Sequence, residues 1–221
     1  ADQFKASGYD IKKTLETLFK SAHFYDMLSV GCVIKSPMDF NAGFCREFSI
    51  AFPPAAQAQN LYYAWGMITL AAAYQGLNLA DPPLVSGWQA WYQSPQFHQI
   101  WINADTLANR NSTVEALCSS RGLEYNGVAP RLDPIQFASA LPEPENAVQL
   151  VRDSVAILYN YSISDTAIQF LKSNLVAGLP NDSYWTDIWF EYKANPSDPA
   201  LKNTVTVRLN ALYKEILSQA E

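Results

Sequence analysis

The residues of this chain able to do chemistry are two histidines, three cysteines and scattered carboxylates, and their spacing organises no reaction. His23 and His98 stand far apart, with no His-x-x-x-His or Cys-x-x-Cys beside either. A zinc site would need both, plus a carboxylate gathered by folding. Cys32, Cys45 and Cys118 form neither a metal set nor a disulfide framework; spacing permits a Cys32–Cys45 bridge, but a buried free thiol is the commoner fate. Gly-x-Ser-x-Gly is absent, and Val85-Ser86-Gly87 reads as a turn, not the strand-to-helix elbow of a serine hydrolase. No cysteine carries the local motif of a Cys–His nucleophile, and nine thinly spread glycines form no phosphate loop. Asn181, Asp182 and Asp187 offer oxygens to a hard cation, yet their string is more simply a turn and helix cap. The sequence therefore calls for no catalytic residue, no metal and no cofactor.

Two features keep chemistry in view. Asp81 and Asp105 flank an aromatic-rich segment, and paired carboxylates could hydrolyse a glycoside if their separation were about 5 Å or about 6.5–9.5 Å. The simpler reading has Asp81 ordering a turn before Pro82 and Asp105 complementing a helix start. The second feature is residues 77–102, a Pro/Trp-rich loop expected to be ordered. Its Trp88, Trp91, Tyr92, Phe97 and Trp101 could line a groove for a carbohydrate or an extended polypeptide, since such rings give large contact area and a polar handle. Trp88 and Trp101 equally suit plugs between helices, leaving Trp91 and Tyr92 exposed. Arg110 is expected to fix this loop by bonding its carbonyls. The candidate ligand-binding set is Trp88, Trp91, Tyr92, Trp101, Arg110 and Asp81.

The elements that must position these residues read as helices throughout. Asp10 caps a helix with the core-facing stripe Ile11, Leu15, Leu18 and Phe19. Ser36-Pro37 opens a second, along which Phe40, Phe44 and Phe48 recur every four residues. A long helix from about 55 to 75 presents Leu61, Trp65, Ile68 and Ala72, and Gly76 ends it. Asn103 caps the next. Residues 145–159 carry Val148, Val151, Val155 and Leu158; Ser164 caps a segment with Ile168, Leu171 and Leu175, closed near Gly178. Residues 183–193 form an aromatic helix with Trp185, Trp189 and Tyr192. Asp198-Pro199 opens the last, with Val205, Leu209, Leu212 and Ile216 in helical period. Only residues 123–132 hint at strand alternation. The fold expected is all-α, an irregular assembly of seven or eight helices. It divides into a helical region 1–127, a Pro-rich connector 128–144 and C-terminal helices 145–221, all expected to form one compact unit.

Composition narrows the partners. Charged residues are 16% of the chain and the net charge is −6, with no basic cluster. Nucleic-acid binders present a positive stripe to phosphates, so nucleic acid is excluded as the expected partner. The longest nearly apolar run, Leu61 to Tyr74, is short of the roughly 20 residues a membrane-spanning helix needs.

Four stretches carry a family resemblance: Tyr9 through Leu15 with Leu18 through Phe24; Val33-Ile34-Lys35-Ser36-Pro37 with Arg46; Leu77 through Trp88, with Pro82-Pro83 and Gly87-Trp88, followed by Trp101-Ile102-Asn103 and Arg110; and Ile216 through Glu221. Together they resemble the C-terminal part of a bacterial family known as domain of unknown function 1800. Residues 111–200 match it only in helical character. The resemblance implies export (periplasm, cell surface or secretion) and a longer parent protein from which this chain is a C-terminal piece; it implies no activity. The function expected is a non-catalytic binding or assembly module meeting a glycan, a peptide or its own N-terminal half. The alternative is part of a hydrolase acting on a cell-surface polymer, with Asp81 or Asp105 contributing.

Overall fold

The computed structural model describes residues 1–31, 33–85, 87, 99–159 and 161–219, and its chain divides into two compact units, Ala1–Val33 and Ile34–Glu221. Among the described residues there are ten α-helices and no strand, only two isolated β-bridges. The all-α expectation holds: eight of the ten helices have nine residues or more.

The first unit holds α1 (Asp2–Ala6) and α2 (Ile11–Phe19), followed by 3₁₀ turns at Ala22–Tyr25 and Met27–Ser29. Gly8 and Tyr9 both take positive φ at the bend, and the Asp10 carboxylate accepts the Lys13 amide at 3.2 Å, as its cap reading requires. The expected burial of its stripe does not occur. Ile11, Leu15, Leu18 and Phe19 are all exposed, and no residue of α1 or α2 is buried. A segment of this length has too little chain on the other side of α2 to cover the stripe by itself.

The second unit contains α3 (Pro37–Glu47), α4 (Ala58–Tyr74), α5 (Ala104–Cys118), α6 (Pro134–Ser139), α7 (Ala147–Leu158), α8 (Asp165–Leu175), α9 (Ser183–Ala194) and α10 (Pro199–Leu217). Their starts are set by local chemistry. Ser36 Oγ accepts the Asp39 amide with Pro37 at the first helical position. Asn103 and Thr106 form a reciprocal capping box, Ser164 accepts from Ala167, and Asp198 accepts from Ala200 and Leu201 ahead of Pro199. Helix α6 lies inside the Pro-rich stretch and begins the same way, Asp133 accepting the Ile135 and Gln136 amides. Residues 123–130 form a tight two-residue turn, not a strand. Tyr125 and Val128 exchange both backbone bonds across Asn126 and Gly127, which carry positive φ.

Helix α10 is the axis of this unit and packs on α5, α6, α8 and α9. Val205, Leu209, Leu212, Tyr213 and Ile216 are fully buried along it. Phe48, Phe137 and Tyr213 interlock, with the Phe48 and Phe137 centroids 4.3 Å apart. On α9, Trp185 and Trp189 are buried, and the Trp185 indole donates to the Pro144 carbonyl at 2.9 Å, so its one polar atom is satisfied in the core.

Helix α4 corrects an expected face. Its buried side is Ala64, Ile68, Ala71 and Ala72, whereas Trp65 is 49% exposed. Alanines let α3 and α5 approach the α4 backbone closely; an indole on that side would hold them apart.

Candidate functional site

The sequence-selected residues fall in three places. Trp88, Trp91 and Tyr92, with Phe97 and His98, lie outside the described residues. So does Cys32, while Cys45 and Cys118 are buried free thiols. Burial pushes the Cys45 thiol up to about 11 and the Cys118 thiol up to about 12, which keeps both protonated and unreactive at neutral pH. No group of three or more His, Cys, Asp or Glu able to hold a metal occurs among the described residues.

Asp81 is exposed and accepts the Asn78 amide at 2.8 Å, while its own N–H closes a turn on the Asn78 carbonyl beside Ala80, whose φ is +66°. Asp105 is exposed in the first turn of α5. Both carboxylates thus serve local structure. Trp101 ends a 3₁₀ turn, Gln99–Trp101; it is half-buried, and its carbonyl accepts the Thr106 hydroxyl at 3.0 Å, joining the end of the aromatic segment to the α5 capping box. Asn181 supports the α9 start by accepting the Ser183 amide, and Asp182 pairs with Lys172 at 2.7 Å.

Arg110 is 1% exposed. Its guanidinium lies 4.0 Å from the Phe40 ring centroid, and Nη1 donates to the Lys35 carbonyl at 3.2 Å. This carbonyl belongs to the strap before α3, while most of the loop that Arg110 was expected to bind lies outside the described residues. Lys35 in turn donates Nζ to the Leu158 carbonyl at the end of α7, at 3.3 Å. Lys35, Phe40 and Arg110 thus tie the strap to α3, α5 and α7. Arg46, by contrast, is exposed and stands apart from this node. A second polar seam runs beside it. Gln75 Nε2 donates to Asn41 Oδ1 at 3.2 Å and to Thr113 Oγ1 at 3.1 Å, and Asn109 Nδ2 donates to the Tyr74 carbonyl at 2.8 Å. Both assemblies join separate segments of the second unit through hydrogen bonds.

Sequence reasoning missed the outer half of α4. Tyr62, Trp65, Leu70 and Tyr74 are all exposed there, with Tyr62 and Trp65 meeting edge to face at 5.7 Å. Beside it the Tyr63 and Tyr125 rings also meet edge to face, at 5.3 Å. No side chain of α4 is charged; indeed no Asp, Glu, Lys, Arg or His occurs from Phe48 to Ala80. That run was the available signal: a helix with one face in water ordinarily carries charge there.

These features define a helical protein whose polar clusters, among the described residues, hold structure and carry no recognisable reaction centre. A family model described as "Protein of unknown function (DUF1800)" matches residues 1–209, and the chain belongs to that family. No curated protein matches, and no solved structure matches. No described helix is long and apolar enough to cross a membrane.

Proposed function

We propose that this chain is a non-catalytic binding module of an exported bacterial protein, and that the outer face of α4 engages a neutral glycan. One observation carries the reading: a 17-residue helix without charge that presents Tyr62, Trp65, Leu70 and Tyr74 to water. Large apolar and aromatic side chains exposed together on one uncharged helix suit an interaction surface. Aromatic rings with hydroxyl and indole handles suit sugar rings, which stack on ring faces and hydrogen-bond at their edges. The uncharged surface favours a partner without formal charge, because a carboxylate or ammonium desolvated there would gain no ion pair. Export and bacterial origin rest on the family resemblance.

The test is retention on an array of neutral oligosaccharides and on insoluble neutral polysaccharides, comparing wild type with the triple variant Tyr62→Ala, Trp65→Ala, Tyr74→Ala. The altered side chains are exposed, so circular dichroism should show an unchanged fold. Retention by wild type and loss in the variant is expected. Equal retention by both, or no retention of any neutral glycan by wild type, overturns the reading.

A further inference from the structure

A cleft of the second unit is lined by no residue of α4 or of the Arg110 node. It occupies about 750 Å³, within the range of small-molecule sites. Three walls are connectors: residues 49–51 after α3, residues 118–120 ending α5, and the strap 129–136 entering α6. The fourth is the side of α10 carrying Lys202, Thr206 and Asn210, three successive turns of one face.

The connectors are bonded to one another. The Leu132 amide donates to the Leu117 carbonyl at 2.9 Å, and Arg131 Nη1 to the Ser120 carbonyl at 2.9 Å. Gly122, at φ +71°, lies so close to the strap that a Cβ would sit 2.7 Å from the Pro130 carbonyl oxygen. The strap and the α5 terminus are therefore one rigid wall, and the cleft is a built feature of the backbone.

Its chemistry is divided. Ile50, Cys118 and Leu132 are buried and give an apolar floor. The charged lining residues are Arg131, Lys202 and Asp133, and the Asp133 carboxylate is already committed to capping α6. Lys202 makes no ion pair among the described residues, whereas Lys172 and Lys214 both do. Two cations thus face a cleft in a chain whose net charge is −6. Near the end of α5 the Ala116 carbonyl accepts from Ser119 and the Leu117 carbonyl from Leu132, and just beyond it the Ser120 carbonyl accepts from Arg131.

We propose that this cleft binds a small organic carboxylate, its anionic end met by Lys202 and Arg131 and its apolar body lying on Ile50, Cys118 and Leu132. Nucleophilic use of Cys118 is not part of the assignment, since the site serves binding alone.

The experiment is a two-dimensional amide NMR titration of the full chain with hexanoate, and in parallel with hexanamide, its neutral counterpart. Hexanoate should shift amides of residues 49–51, 118–120 and 202–207 together. Two partly exposed ion pairs should make it bind about fivefold more tightly than hexanamide, an advantage that fades with added salt. Lys202→Gln, which removes no described hydrogen bond, should erase about half of that advantage in free-energy terms. Arg131→Gln should behave alike if its spectrum shows the wall intact; if the wall loosens, Lys202→Gln alone decides. Equal binding of the two probes, shifts confined to other surfaces, or hexanoate affinity unaltered in Lys202→Gln would each overturn the proposal.

Discussion

Replacing Arg110 by methionine and by lysine separates the roles of its charge and of its planar shape. The guanidinium stacks 4.0 Å from the Phe40 centroid and donates to the Lys35 carbonyl while only 1% of the residue is exposed. A hydrogen bond from a charged donor contributes about 1.5–3 kcal/mol, and a desolvated cation–π contact about 2 kcal/mol. Against these stands the relief of removing a buried charge, itself several kcal/mol. The balance for Arg110→Met is a loss of about 2–3 kcal/mol, a large part of the 5–15 kcal/mol typical of a domain. Arg110→Lys keeps the charge but lacks the flat fork, so it should recover less than half of that loss. Urea denaturation followed by circular dichroism and by tryptophan fluorescence measures both; coincident transitions license the two-state treatment. A double-mutant cycle with Phe40→Leu should return a coupling of about 1 kcal/mol. If lysine restores most of the stability, or the cycle shows no coupling, then stacking on Phe40 is not what holds this residue.

Two further outcomes follow from backbone and burial. Gly122→Ala must place a Cβ 2.7 Å from the Pro130 carbonyl oxygen at a positive φ, so it should cost at least about 1–3 kcal/mol in the same denaturation assay; a neutral result would mean the strap moves freely. Alkali should destabilise the fold. The Cys45 and Cys118 thiols rise from 9.0 to about 11 and about 12, both through burial, so between pH 9 and those values the unfolded chain releases protons that the folded chain retains. Stability from this source is therefore whole below pH 9 and lost as pH climbs through 11 and 12. A Cys118→Ala variant should show a shallower decline, and a parallel slope would refute the linkage.

What the sequence disclosed was mostly local. Asp10, Ser36, Asn103, Ser164 and Asp198 were each legible as helix starts because a cap is a contact within three residues, and each accepts the expected amide. Asp133-Pro134 carries the same signal as Asp198-Pro199, but the neighbouring prolines masked a six-residue helix. Amphipathic stripes were legible as patterns and less so as placements. The α10 stripe is buried, whereas the equally regular stripe of α2 is exposed, because period reports which face is apolar and not what covers it. In α4 the period was half right: Ile68 and Ala72 are buried as expected and Trp65 is not, for a helix with no charge has no polar face to oppose the core. Arg110 was identified as a carbonyl-binding residue, but its link to Lys35 spans 75 positions, and no local rule reaches that far.

The two surfaces assigned a ligand differ in the physics of attraction, and that difference can be used. The α4 strip offers contact area and hydroxyl handles without a charge, so binding there should be nearly indifferent to ionic strength and should strengthen with apolar burial. The cleft beside α10 offers two cations in a chain carrying −6, so its ligand must overcome a net repulsion at long range and is held only once inside. Salt screens both contributions, but over a Debye length of about 8 Å at physiological strength the distant repulsion fades before the contact attraction does. Association with the cleft should therefore quicken slightly as salt first rises, even while affinity falls. A surface that merely collected anions on exposed lysines would show both quantities falling together.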